Sequence, residues 1–215
     1  MRLVKTFKDE HRVYFLLEYI NGIDMWDALR EINLVSNEQA RFYVGCMTLA
    51  LEHLAEKNIL HRDLKPENVM VDSDGYARLI DFGTAKIIKG RTFTILGTPH
   101  YMAPEVITGN GYSNACDLWS VGIMLYEFVA GGVPFGEECP DPYGVYHAVT
   151  CDPLNFPRQM DKRHPSIPVI KQLLDRQAPK RGTAESLKKH EWFRGLNWED
   201  LNFHSIRPDY IPNVA

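Results

Sequence analysis

The stretch His61–Gly83, HRDLKPENVMVDSDGYARLIDFG, decides how this chain is read. Asp74-Gly75 is a turn signal, and Val69-Met70-Val71 on one side and Ala77-Arg78-Leu79-Ile80 on the other have the character of short strands. Folding the two runs antiparallel has a geometric consequence. Asn68, just before the first run, and Asp81, just after the second, meet at the open end about one strand spacing of ~5 Å apart. An amide oxygen and a carboxylate placed there suit Mg²⁺, a hard cation that keeps room for waters and phosphate oxygens.

Asp63 lies upstream on the same loop, with Lys65 two positions on. A carboxylate that accepts a hydroxyl proton, beside a lysine that neutralises charge on a phosphoryl group, is what phosphoryl transfer requires. A lone loop aspartate or lysine is ordinarily a solvated charge. Convergence of Asp63, Lys65, Asn68 and Asp81 on the mouth of one hairpin argues for a site instead.

Working outward, Leu3 to Phe7 and Val13 to Tyr19 are apolar runs rich in strand formers, parted by the charged Lys8 to Arg12, which suggests an N-terminal hairpin. Met25 to Ile32 has helical spacing, with Met25, Trp26, Leu29 and Ile32 on one face. Ser36-x-x-Gln39 is a capping box that opens a long helix to about Lys57. Ser113 to Ala130 is apolar almost all round and stops at Gly131-Gly132, as a buried central helix with a glycine C-cap would. Ile167 to Leu174 and Thr183 to Lys189 read as short helices, and a less regular tail with Pro208 and Pro212 follows.

The 215 residues are 45% apolar, 11% aromatic and 24% charged, enough for one domain with a real core. A formal charge of −4 offers no basic footprint for nucleic acid and no polybasic membrane anchor. The four cysteines, Cys46, Cys116, Cys139 and Cys151, form no C-x-x-C pair, so a reduced, cytoplasmic compartment is expected. No run approaches the roughly 18 consecutive apolar residues of a membrane span, and no charged start precedes an apolar leader. His190-Glu191 opens a zinc-type H-E-x-x-H pattern, but Arg194 stands where the second histidine belongs.

HRDLKPEN (His61–Asn68), DFG (Asp81–Gly83) and APE (Ala103–Glu105) stand in order with suitable gaps, and on these motifs the chain resembles the eukaryotic protein kinases. The resemblance implies an α+β fold: a mainly helical large lobe with a remnant of the small-lobe sheet. Residues 1–193 would be a partial catalytic domain, with 1–20 the small-lobe remnant and hinge and 21–193 the large lobe, and 194–215 the start of a C-terminal tail. Carried over from that family, Asp63 is the catalytic base, Lys65 the γ-phosphate contact, and Asn68 and Asp81 the Mg²⁺ ligands. The backbone of Glu18 and Ile20 would meet the adenine of ATP, with Met70 below the ring. Lys65 followed by Pro66-Glu67 looks like a serine/threonine enzyme.

GRTFTILGTPHYMAPE (Gly90–Glu105) is similar to the activation segment of the AGC group, the cyclic-nucleotide-dependent kinases in particular. That likeness makes Thr94 a phosphosite whose phosphate would recruit Arg62 and Lys86, and Thr98 the contact to Asp63 and Lys65. Asp24, Glu67 and Glu127 match acidic positions that receive arginines N-terminal to the target residue, implying protein substrates with basic residues before Ser or Thr. His100 departs from the glutamate usual there, which leaves subsite preference open. Glu105 and Arg181 match a family ion pair, and Asp117 a brace for the catalytic loop. The tail HEWFRGLNWEDL (His190–Leu201) followed by RPDYIPN looks most like the cGMP-dependent kinases, with Trp192, Phe193 and Trp198 as packing residues.

No Gly-x-Gly-x-x-Gly occurs in the sequence, and the strand lysine, its helix glutamate and any cyclic-nucleotide-binding domains are missing too. The expectation is an N-terminally truncated kinase domain, poorly active alone because the phosphates lose charge compensation and shelter. The alternative is an impaired kinase lobe that serves as a binding or regulatory module.

Overall fold

In the computed structural model, which describes residues 2–158 and 160–214, the chain opens on an antiparallel ribbon of β1 (Leu3–Lys8) and β2 (Val13–Leu17). Asp9 makes the turn, its Oδ1 accepting the backbone N–H groups of His11 and Arg12. There follow β3 (Gly22–Asp24), α1 (Met25–Ile32), α2 (Asn37–Glu56), β4 (Ile59–Leu60), β5 (Val69–Asp72), β6 (Ala77–Leu79) and β7 (Lys86–Ile87). The rest is helical: α3 (Pro104–Ile107), α4 (Ala115–Ala130), α5 (Pro142–Cys151), α6 (Ile167–Leu173), α7 (Ala178–Arg181), α8 (Ala184–Leu187) and α9 (Trp198–Asn202). The architecture is the expected α+β one, with helices making up most of its regular structure.

The local causes can be named. Ser36 Oγ accepts the N–H of Gln39 while Gln39 Oε1 accepts the N–H of Ser36, so both bonds of the capping box are made and α2 starts there. The helix α4 is buried nearly all round, with Trp119, Val121, Ile123, Met124, Leu125 and Phe128 wholly inside. It ends at Gly131, whose φ of 84° is left-handed and whose N–H returns to Glu127 O. Around α4 pack α2, α6 and α7, and α2 in turn carries α8 and α9. Trp192 and Phe193 are buried against this core, as packing residues should be.

The sequence reading of α1 needs correction. Its inward stripe is Met25 and Ala28, backed by Leu29 and Ile32, whereas Trp26 is 46% exposed. Position 26 follows Met25 by about 100° around the helix, which turns it off that stripe. Structure the reading missed includes β3, which adds to the hairpin in the order β3-β5-β6, and the β4–β7 pair. It also missed α5, opened by the Asp141 cap with Pro142 at its first turn, and α9, capped by Asn197.

Both strands of the N-terminal ribbon are exposed throughout, from 40% at Leu17 to 64% at Phe15 among the large apolar side chains.

Candidate active site

The hairpin forms where the Asp74-Gly75 signal puts it, in the register Val69 with Leu79, Met70 with Arg78 and Val71 with Ala77. Ile80 N–H donates to Asn68 O at 3.0 Å, carrying the pairing one step further and setting Asn68 and Asp81 at the open end. At the closed end Asp72 Oδ1 accepts the N–H groups of Asp74 and Tyr76, and Arg78 pairs with Asp72 Oδ2. The third strand approaches so closely that a Cβ on Gly22 would lie 2.2 Å from Val71 O, so only glycine fits.

Two supports fix the His61–Asn68 loop. From below, Asp117 of α4 accepts the backbone N–H of His61 at Oδ2 and of Arg62 at Oδ1, each at 2.9 Å. From the side, His61 Nε2 lies 2.9 Å from Ile80 O, its ring packs edge-on to Phe82, and its carbonyl accepts the Thr84 hydroxyl. Between these supports the backbone is strained, with φ of 72° at Arg62 and 53° at Asp81. Left-handed conformations at such residues cost on the order of 1–3 kcal/mol and collect at functional sites.

Asp63 is held on both oxygens. Its Oδ1 accepts the Thr98 N–H at 3.0 Å and the Thr98 hydroxyl at 2.9 Å, while Oδ2 accepts Asn68 Nδ2 at 3.2 Å. Lys65 Nζ donates to Thr98 Oγ1 at 3.0 Å and lies 3.7 Å from Asp63 Oδ2. Asn68 Nδ2 also donates to Asp63 O, so both amide hydrogens point back into the loop and Oδ1 is left for a cation. Asp81 is exposed, with Oδ1 accepting the Gly83 N–H. The donor set fits Mg²⁺: two hard oxygen ligands with the remaining positions open to water and phosphate. Among the described residues no group of three or more His, Cys, Asp or Glu could hold a metal ion by itself.

Other expected residues are placed as follows. Glu18 is exposed and its N–H donates to Arg2 O, Ile20 is half-buried, and Met70 sits on β5 opposite Asp24. Thr94 is exposed and its carbonyl accepts the Tyr112 hydroxyl. The structure does not bring Arg62 and Lys86 onto Thr94: Arg62 Nε donates to Thr84 O and Lys86 Nζ to the Thr92 hydroxyl. Asp24 caps α1 by accepting the Asp27 N–H. Glu127 accepts the Tyr101 hydroxyl at 2.8 Å. Burial pushes the Glu127 carboxyl up to about 7, the tyrosine bond partly offsetting this and the charges of Glu67 and Glu137 adding to it. His100 Nε2 is 3.2 Å from Gly136 O. Tyr101 and Glu137 are members of this cluster that the sequence reading missed.

The expected ion pair is present. Arg181, 0% exposed, forks onto both oxygens of Glu105 and also donates to Asp175 O and Ala115 O. It fastens the end of the segment that carries Thr98 to the helical body.

The model of the protein kinase domain family matches residues 1–193, so the chain belongs to the protein kinase family. Within that family it is similar to cyclic-nucleotide-dependent enzymes. It is 43% identical over 216 residues to the cGMP-dependent protein kinase of Plasmodium berghei (strain Anka), covering 98% of this chain and 25% of that one. For the cGMP-dependent protein kinase of Toxoplasma gondii the figures are 41% over 217 residues, 99% and 22%. For the human cAMP-dependent protein kinase catalytic subunit PRKX they are 37% over 220 residues, 100% and 60%. The chain thus spans 22–60% of the length of these curated relatives. Among the described residues no helix is long and apolar enough to cross a membrane.

Proposed function

We propose that this chain carries the large lobe of a serine/threonine protein kinase, which transfers the γ-phosphoryl group of Mg-ATP to Ser or Thr in proteins with basic residues before the target. The observation that carries this reading is the Asp63–Thr98–Lys65 arrangement beside Asn68. Asp63, fixed by Thr98 on one oxygen and Asn68 on the other, orients the substrate hydroxyl and accepts its proton as the new O–P bond forms and the bond from the γ-phosphorus to the β-phosphate oxygen breaks, ADP leaving. Lys65, held by Thr98 within reach of the same point, neutralises charge on the transferred group. Asn68 Oδ1 and the Asp81 carboxylate would hold Mg²⁺, which when bound supplies charge neutralisation at the phosphates. Glu18, Ile20 and Met70 would frame the adenine. Residues 1–20 serve as small-lobe remnant and hinge, 21–193 as large lobe and 194–215 as tail.

A phosphate on Thr94 would draw Arg62 and Lys86 from their present partners Thr84 and Thr92, ordering the segment that presents Thr98. Asp24, Glu67 and Glu127 would receive the basic residues of the substrate. The test is phosphate transfer from γ-labelled ATP to a serine peptide with two arginines before the serine. Asp63→Asn should lower turnover by about 100-fold or more, in the range general-base removal gives, with ATP affinity little changed. Equal rates for variant and parent would contradict the assignment.

The exposure of the β1–β2 ribbon favours a second reading, a lobe that acts by binding a partner. Failure to bind Mg-ATP, together with stable co-elution with a kinase or a kinase substrate, would support it over catalysis.

A further inference from the structure

A cavity of about 600 Å³ opens between the last two turns of α2, the first turn of α4 and the helices α7 and α8. Its apolar walls are Leu51 and Ala55 from α2, Ile59 from β4, Leu118 from α4, Ala178 from α7 and Ala184 from α8. Three of these six are alanines, whose single methyl groups leave the gap between the helices unfilled. A concave space of this size, mostly apolar with a few polar groups at its edge, has the proportions of a small-molecule site.

The charges around it are unequal in what they offer. Besides Tyr112, the ionisable residues lining the cavity are Arg91, Glu105 and Asp117. Both oxygens of Glu105 are taken by Arg181, and both oxygens of Asp117 accept backbone N–H groups of the His61–Asn68 loop, so neither carboxylate presents itself to a ligand. Arg91 is exposed and, among the described residues, forms no ion pair. Asn114, also on the lining, makes no side-chain bond to cap α4, which leaves its amide open to an acceptor. An apolar space with one uncommitted cation at its edge complements a molecule that has an apolar body and an anionic head.

We propose that this cavity binds a medium-chain carboxylate of the fatty-acid class, its head on the Arg91 guanidinium and its chain against Leu51, Ala55 and Leu118. The head gains a charge-assisted bond at the edge, and the chain leaves water along the walls. The site shares no side chain with Lys65, Asn68, Asp81 or Thr98, and a ligand there is neither substrate nor nucleotide.

The exposed apolar side chains of the β1–β2 ribbon could also take up an acyl chain, so the test must separate the two places. Binding of octanoate, decanoate and dodecanoate to the whole chain is measured by calorimetry below the concentrations at which they form micelles, with decanol as the neutral control. Affinity should rise roughly 10-fold for each two methylenes added, as burial of the chain requires. Arg91→Gln should weaken decanoate roughly 10-fold and leave decanol unchanged. Ala55→Phe, which fills the space from the side of α2, should abolish binding of both. Decanoate with a photoreactive diazirine near its methyl end should label α2 or the first turn of α4 in the parent, a readout that holds even where the phenylalanine variant does not fold. Label confined to Val13–Leu17, decanoate affinity equal in parent and Arg91→Gln, affinity independent of chain length, or no saturable binding of any of the three acids would each overturn the inference.

Discussion

Thr98 uses its hydroxyl twice, donating to Asp63 and accepting from Lys65, so one side chain holds both the carboxylate and the ammonium group. Thr98→Val keeps the shape and removes both bonds. Turnover should fall roughly 10- to 100-fold, the scale on which small misplacements act, while the KM for ATP changes little; a rate within twofold of the parent would show that Thr98 does not position the pair. Asp63, Lys65, Asn68 and Asp81 were legible because their chemistry is compressed around one turn whose residues announce it. Thr98 was legible only through the family resemblance of its segment. Tyr101 and Glu137 were not legible, because nothing local marks a tyrosine or a glutamate that tertiary packing alone brings to Glu127. The positive φ at Arg62 and Asp81 was hidden too, since neither residue is the glycine that usually signals it.

Elements were legible in proportion to their length and their caps. The helices α2 and α4 carry a capping box and a glycine stop, and they form where those signals place them. The strands β3, β4 and β7 are two or three residues long, too short to show any period, and they exist because larger elements press them together. At this scale the Glu105–Arg181 pair makes a sharp prediction. Glu105→Ala leaves Arg181 buried and uncompensated, which should cost about 3–5 kcal/mol of stability, read as a lowered urea midpoint with unchanged slope; a loss under about 1 kcal/mol would mean the Asp175 and Ala115 carbonyls already satisfy the guanidinium. Gly131→Ala forces an L side chain into the left-handed region and against Leu34, and should cost about 1–2 kcal/mol in the same assay.

Across the whole molecule, stability is uneven. The interior around α2 and α4 is continuous, whereas the β1–β2 ribbon has apolar side chains exposed on both faces and two free edges. A two-stranded ribbon is marginal in water unless something covers it. Hydrogen exchange should therefore find the ribbon amides nearly unprotected while the central amides of α4 exchange only on global unfolding; equal protection in both would show that the ribbon is stabilised by something other than its own pairing. The ribbon was legible as strands from its two apolar, strand-forming runs parted by a charged stretch, but its exposure was not, since burial depends on partners that no local pattern names. Phosphoryl transfer organised by Asp63 is to be measured on the natural protein isolated from its own cells with antibody to the tail, alongside a tagged Asp63→Asn form from the same cells. With Mg²⁺ and γ-labelled ATP, the parent should place label on the serine of an arginine-containing peptide, and the variant about 100-fold less. No transfer by the parent, or equal transfer by both, would contradict it.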